Sequence, residues 1–339
     1  AMTTHGFLLG KFLPPHVGHI FVCEAAARMV DSLTVLVCSI DAEPIPGSLR
    51  HGWMAELLPT CRVTHMHREI PQEPADHPDF WDIWKAAIHE FHPEVVDYAF
   101  GSESYVFRLA DELSAKPVLI DPLRQIMPYS GRSIRTAPGK HWEGVPKPVR
   151  SWFQRRVCML GPESVGKSTL SQVLTEKFNG SWMPEYGRDY DVHYRQQQGW
   201  TAEDFLMLAN THIAMRESAL PSFRPLVFED TDYIQTLAWA ERLLGEQPSI
   251  LREIDSSVNL ADFYLLLAPD VPWVDDGTRY SGAEDVRNWF YERILQELTK
   301  RNLDFEIICG ADWADRENQA VSAINRHFSN LCDPMEEPA

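Results

Sequence analysis

Hydrophobic and polar positions repeat one theme along this chain: a short apolar run, then a longer stretch in which apolar residues recur at helical spacing. In the first half the apolar runs predict strands at Phe7–Leu9, Leu33–Cys38, Arg62–His65, Val95–Phe100 and Val118–Ile120. Helices fit between them; Val22, Ala26, Met29 and Val30, for instance, fall on one helical face and should meet the sheet. From about Thr136 to Gln154 the periodicity stops, and Pro138, Gly139, Gly144, Pro146 and Pro148 break any regular element, so a domain boundary is expected there. The theme then resumes, with strands expected at Arg156–Leu160, Pro225–Glu229, Phe263–Leu267 and Phe305–Cys309. Helices are expected at Lys167–Phe178, Ala202–Ser218, Tyr233–Leu244, Ala283–Thr299 and Trp313–Phe328. Strands alternating with helices predict an α/β protein of two doubly wound parallel-sheet domains, residues 3–145 and 155–330, with residues 331–339 as a disordered acidic tail. No internal repeat is visible.

Size agrees with this division, because 339 residues exceed what a single hydrophobic core usually serves. The net charge is −18, with 14 basic and 18 acidic side chains in residues 1–150 against 17 and 31 in the remainder. Neither half has the basic balance of a duplex-binding protein, and little chain precedes the first strand, so DNA binding is not expected. No apolar run reaches membrane-spanning length, and no basic-then-apolar leader opens the chain. The six cysteines are scattered without a CxxC pair, several inside apolar runs. A reduced, cytoplasmic enzyme without structural zinc is the expectation.

Chemistry enters at two glycine-containing loops. The strand Arg156–Leu160 runs into Gly161-Pro162-Glu163-Ser164-Val165-Gly166-Lys167-Ser168, which matches GxxxxGK[ST] between a strand and a helix. Such a loop curls its N–H groups round a triphosphate. Lys167 should reach the β- and γ-phosphates, Ser168 should help hold Mg²⁺, and Thr169 follows at the start of the helix. The metal needs a carboxylate at the end of a neighbouring strand. Pro225–Glu229 ends in Asp230-Thr231-Asp232, so Asp230 is the expected metal partner and either aspartate could accept the attacking hydroxyl's proton; capping the next helix is the alternative role. The stretch from Trp273 through Asp275, Asp276 and Gly277 to Arg279 suits a closing lid, with Arg279 on the transferring group. Glu185, Tyr186 and Arg188 follow another short strand and could hold the phosphoryl acceptor.

The first strand runs into Gly10-Lys11-Phe12-Leu13-Pro14-Pro15-His16-Val17-Gly18-His19. His16 and His19 are three residues apart at a helix start, beside its exposed N–H groups, where both can donate to a polyphosphate. Gly18 keeps the backbone clear of the nucleotide.

Gly10, Phe12, Pro14, His16, Gly18 and His19 together resemble the HxGH signature of nucleotidyltransferases. A second signature of that superfamily, Ile-Ser-Ser/Gly-Thr-x-Ile-Arg, aligns with Tyr129 to Arg135. Ser130, Gly131, Ile134 and Arg135 agree, while Arg132 stands where Thr is expected. With both loops in this order, and with Gly101-Ser102-Glu103, Glu185-Tyr186-Gly187-Arg188, Asp230-Thr231-Asp232 and Trp273-Val274-Asp275-Asp276-Gly277, the chain resembles the bifunctional nicotinamide-mononucleotide adenylyltransferase / ribosylnicotinamide kinase family from about Gly6 to Phe328. The resemblance implies a Rossmann-like nucleotidyltransferase followed by a P-loop kinase. It implies phosphorylation of nicotinamide riboside with ATP and Mg²⁺, then transfer of AMP from ATP to nicotinamide mononucleotide, giving NAD and pyrophosphate. His16, His19, Lys11 and Arg135 would serve the transfer by alignment and charge neutralisation.

Trp81 and Trp84 are candidates for the cationic nicotinamide ring, with core packing of a helix Asp79–Phe91 as the competing role. In the second half, Tyr186 and Trp273 are the aromatic candidates for the riboside. Fuller family members carry a DNA-binding domain in front; repression by this chain is not expected. Two other readings stay open: a kinase preceded by a nucleotide-sensing domain without turnover, for which Arg132 speaks, and an adenylyltransferase/kinase fusion acting on another small metabolite. A homo-oligomer is compatible with the sequence.

Overall fold

The computed structural model describes residues 3–196, 198–272 and 283–332. The chain divides into two compact units, Ala1–Arg150 and Ser151–Ala339. Each is built round one five-stranded sheet in which neighbouring strands run parallel.

In the first unit β1 (His5–Gly10), β2 (Ser32–Ser39), β3 (Arg62–His67), β4 (Tyr98–Gly101) and β5 (Lys116–Leu119) take the order β3-β2-β1-β4-β5. The helices are α1 (Val17–Ala27), α2 (Gly47–Leu57), α3 (Phe80–Phe91), α4 (Tyr105–Leu113) and α5 (Gly131–Thr136), and α6 (Lys147–Phe153) runs across the division of the chain at Arg150. Successive strand residues point to opposite faces. Leu8, Val35, Val37 and Phe100 therefore join Cys23, Ala26 and Met54 of α1 and α2 in one core. Phe7, Leu36 and Cys38 join Ala87, Ile88 and Leu109 of α3 and α4 in the other. The order reverses at β1, whose neighbours β2 and β4 lead to opposite edges. A crevice opens beyond the carboxyl ends of strands at such a switch point.

The second unit repeats the principle with β6 (Arg155–Leu160), β7 (Ser181–Met183), β8 (Leu226–Asp230), β9 (Phe263–Leu267) and β10 (Phe305–Ile308), ordered β10-β9-β6-β8-β7. Its helices are α7 (Lys167–Lys177), α8 (Tyr186–Tyr190), α9 (Ala202–Ala219), α10 (Tyr233–Leu244), α11 (Arg252–Ser257), α12 (Glu284–Lys300) and α13 (Trp313–Phe328). Val157, Met159, Leu265 and Leu267 pack against α7 and α13, while Cys158, Leu160, Tyr264 and Leu266 pack against α10 and α12. On the face that carries Cys158 and Leu160 lies an ion pair: Arg156 Nη1 donates to Glu229 Oε1 at 2.8 Å, and both side chains are buried.

Several local expectations need correction. The segment read as lacking any element contains α6, because Pro148 falls in its first turn, where proline's missing N–H costs nothing. α1 stops at Ala27, so Met29 lies past its end and is 52% exposed. Val95 precedes β4 and is 79% exposed. Leu331, expected in the disordered tail, is buried in the core beside α13, and Cys332 packs against that core. Residues 333–339 and the Trp273–Arg279 stretch lie outside the described residues. Among those described, no helix is long and apolar enough to cross a membrane.

Candidate active sites

The loop after β1 forms the first site. His16 is the N-cap of α1, and its Nδ1 accepts from the N–H of Gly18 at 3.1 Å and of His19 at 3.3 Å. His19 Nδ1 in turn accepts from His16 N at 3.2 Å, and the two rings stack with centroids 3.6 Å apart. Burial, helped by the nearby Arg124 cation, lowers the His16 pKa to about 4. Burial, His16 and Arg124 together hold His19 well below its ordinary value. Both rings are therefore neutral at pH 7, with Nδ1 as acceptor and Nε2 carrying the proton. The motif alone leaves their charge open; the cap settles it.

Lys11 stands at the mouth of a cleft of about 610 Å³ that is also lined by His16, His19, Trp81, Trp84, Tyr129 and Arg135. The fully buried Arg50 braces this loop, donating to the carbonyls of Lys11 and Ile45 and pairing with Glu43 at 2.8 Å. Glu43 also lies 3.7 Å from Lys11 Nζ. Gly10, Phe12, Gly18 and Gly131 line the cleft, whereas Pro14 is buried outside its lining.

α5 closes the cleft from the other side. Ser130 caps it, accepting from Ser133 N at 3.1 Å, and the fully buried Ile134 anchors it. Arg135 donates to the carbonyl of Leu13, tying this helix to the histidine loop. Gly131 is required for that approach, since a Cβ there would overlap Leu13 O. Arg132, expected at the nucleotide, is exposed and is not among the residues lining the cleft. The side chain that does line it is Arg124, held by a loop in which Asp121 accepts from the N–H groups of Gln125, Ile126 and Met127. Only the Asp-Pro turn signal at 121–122 hinted at this loop.

Trp81 and Trp84 lie on α3 and have two roles at once. They line the cleft and pack on the core beneath it. Trp84 Nε1 donates to Pro71 O at 2.8 Å, which fixes its ring.

The second site lies at the end of β6. Gly161 and Gly166 have positive φ, +148° and +89°, and a Cβ on Gly166 would meet Trp313 at 2.6 Å, so glycine is required. The loop they frame carries Glu163, Ser164 and the buried Val165. Lys167 Nζ donates to Pro162 O at 2.6 Å. Burial lowers its pKa against the pull of Glu185, Asp230 and Glu163. Burial raises the carboxyls of Glu185 and Asp230, and the Asp230 charge adds to the rise at Glu185. The nearby Ser168 hydroxyl opposes the rise at Asp230, whose Oδ1 is buried with no hydrogen-bond partner among the described residues. Thr169 is exposed.

Asp232 differs from Asp230. Its Oδ1 accepts from Ile234 N at 2.9 Å, capping α10, and its Oδ2 accepts from the Tyr264 hydroxyl at 2.6 Å. Burial raises its pKa to about 6. Both oxygens are engaged, so of the roles left open for Asp232 the helix cap is the one it fills. Glu185, the N-cap of α8, lines a cleft of about 930 Å³ together with Lys167, Tyr186, Arg188, His212 and Trp200. Arg188 stays on Glu185 at 3.2 Å. Sequence reasoning did not find Trp200, whose ring is covered by the Arg195 guanidinium at 3.9 Å.

Together these features define a class: an α/β protein with two phosphate-binding loops, one of HxGH type and one of Walker A type, each at the carboxyl end of its sheet. The family described as AAA domain matches residues 156–316. The chain is 28% identical to the trifunctional NAD biosynthesis/regulator protein NadR of Escherichia coli K12, over 95% of this chain and 82% of that protein. The same protein of Salmonella typhimurium LT2 is also 28% identical, over 94% of this chain and 82% of that protein. A crystal structure of NadR protein in complex with NR superposes with a TM-score of 0.76 at 20% identity, covering 100% of this chain and 99% of that one. Another, with NAD and AMP-PNP, gives 0.74 at 21% identity, with the same coverage of both chains. The chain is NadR-like along its length, as its motifs imply.

Proposed function

We propose that this chain is a bifunctional enzyme that phosphorylates nicotinamide riboside with ATP and transfers AMP from ATP to nicotinamide mononucleotide, releasing pyrophosphate and forming NAD. The observation that carries this is the coexistence, within one NadR-like chain, of a neutral HxGH pair facing a tryptophan-lined cleft and a Walker A lysine facing a carboxylate cluster.

In the first unit the mononucleotide phosphate attacks the α-phosphorus of ATP. Lys11, Arg135 and Arg124 supply positive charge around the polyphosphate, and the Nε2–H groups of His16 and His19 donate to it. Neutral histidines suit this role, because they bind the developing charge without the cost of holding buried cations. Trp81 and Trp84 offer ring faces to the nicotinamide.

In the second unit Lys167 and the loop N–H groups hold the β- and γ-phosphates. The orphaned Asp230 Oδ1 beside Ser168 fits a magnesium ion, and these two residues would hold it, where it would neutralise phosphate charge. Glu185, with its raised pKa beside Lys167, is placed to accept the proton of the riboside hydroxyl. Tyr186 and Arg188 line the acceptor side of the cleft.

Two single replacements separate the activities. Lys167→Ala should lower riboside phosphorylation by at least 100-fold and spare pyrophosphate release from the mononucleotide and ATP. His19→Ala should do the reverse. If the intact chain binds ATP yet releases no pyrophosphate above background, the first unit is a nucleotide sensor and the transfer assignment fails.

A further inference from the structure

We propose that the carboxyl ends of β2 and β3 carry a binding site for one divalent transition-metal ion of the zinc class, with His67 Nε2, Asp41 and Glu69 as its protein ligands. The donor atoms of these three residues all lie within 4.8 Å of one another, and His67 Nε2 stands 3.0 Å from Asp41 Oδ1. The site faces solvent, so water can complete the shell.

The protons around Ser39 distinguish this site from a chance meeting of surface charges. β3 places His65 and His67 two residues apart, hence on one face. Ser39 Oγ of β2 lies 2.7 Å from His65 Nε2 and 2.9 Å from His67 Nδ1. A hydroxyl has one proton to give, so it serves one ring and must accept from the other. When Ser39 donates to His65, His67 donates from Nδ1 and its Nε2 lone pair faces two carboxylates. Three acceptors then converge, with Glu69 Oε1 already taking the Asp41 N–H at 2.7 Å, and a cation relieves the rest. An Nδ1–H bond to an oxygen is also the outer support that metal-ligating histidines use to fix the ring. In the other arrangement Nε2–H donates to Asp41, and the metal takes the place of that proton, so binding releases acid.

Imidazole among the ligands favours zinc, cobalt or nickel over magnesium, which prefers oxygen alone. Asp41, His67 and Glu69 lie outside the lining of both clefts, and Asp41 shares a segment with Glu43, which grips Arg50 and reaches Lys11.

The test is a Co²⁺ titration of the untagged 339-residue chain in excess Mg²⁺, read by visible d–d absorption and by proton release. One saturable equivalent is expected, with Zn²⁺ displacing it. His67→Ala should weaken it by at least 100-fold, Asp41→Asn by at least 10-fold, and Ser39→Ala by about 10-fold through loss of the outer support. His51→Ala, which removes the ring stacked on His65 at 5.6 Å but no ligand, should leave the affinity within about 2-fold. Far-UV circular dichroism checks that each variant is folded. No saturable absorption, or an equivalent that survives both His67→Ala and Asp41→Asn, overturns the proposal. So does a His51→Ala variant as impaired as His67→Ala.

Discussion

His16 stays neutral because burial and the nearby Arg124 cation disfavour its charged form, and its Nδ1 lone pair is committed to two backbone N–H groups at the start of α1, bonds that protonation would break. The folded protein therefore holds this proton less tightly than the unfolded chain, with a pKa of about 4 against 6.5. Because the folded value is the lower one, the stabilisation is complete above pH 6.5 and is lost as pH falls toward 4, on the order of 3 kcal/mol for this group. His16→Asn keeps a capping acceptor but cannot titrate, so urea unfolding between about pH 4 and 7 should show a flatter acid limb in that variant. Asp230 gives a second residue-level outcome. Asp230→Asn removes the charge that offsets the metal, so riboside phosphorylation should fall by at least 100-fold and require more magnesium, read by a metal titration of initial rates. An unchanged titration would move the metal to Glu185.

Among the elements, α5 and the loop after β1 act as one jaw of the adenylyl site, joined where Arg135 meets the Leu13 carbonyl. Gly131→Ala would drive a methyl into Leu13 O, and that backbone oxygen cannot swing aside. Adenylyl transfer should drop by at least 10-fold while riboside phosphorylation is unchanged, as coupled assays on one preparation would show. The strands that carry this jaw were legible in the sequence as short apolar runs, because helices cover both faces of each sheet and leave the central strands buried on both sides. The jaw's cation was not. Arg132 looked like the substitute for the missing threonine, yet helix geometry leaves it exposed, and Arg124 reaches the cleft only because Asp121 folds its own loop. Asp232 was ambiguous for another reason: a helix-capping aspartate and a general base look alike in sequence, and only the engagement of both oxygens tells them apart. α6 was missed because prolines read as breaks wherever they fall, although the first turn tolerates them.

For the molecule as a whole, each unit carries its own sheet, cores and phosphate loop, and in the second the centre of the sheet is held by charge as well as by apolar packing. Arg156 and Glu229 face each other inside it, with Arg156 also donating to the carbonyls of Asn259 and Leu260. Removing either partner alone leaves a buried charge unmatched and should cost about 3–5 kcal/mol, measured by chemical unfolding. Replacing both by leucine should cost less than the two losses added, a coupling of about 0.5–3 kcal/mol. Arg216, 3.9 Å from Glu229, keeps its own bond to Glu217 at 2.8 Å in that double variant. This pair also constrains how the chain can evolve. A lineage that alters one member passes through a poorly folded ancestor, so positions 156 and 229 should change together among relatives or not at all, and their joint variation would mark the sheet's interior in an alignment as clearly as a measured contact.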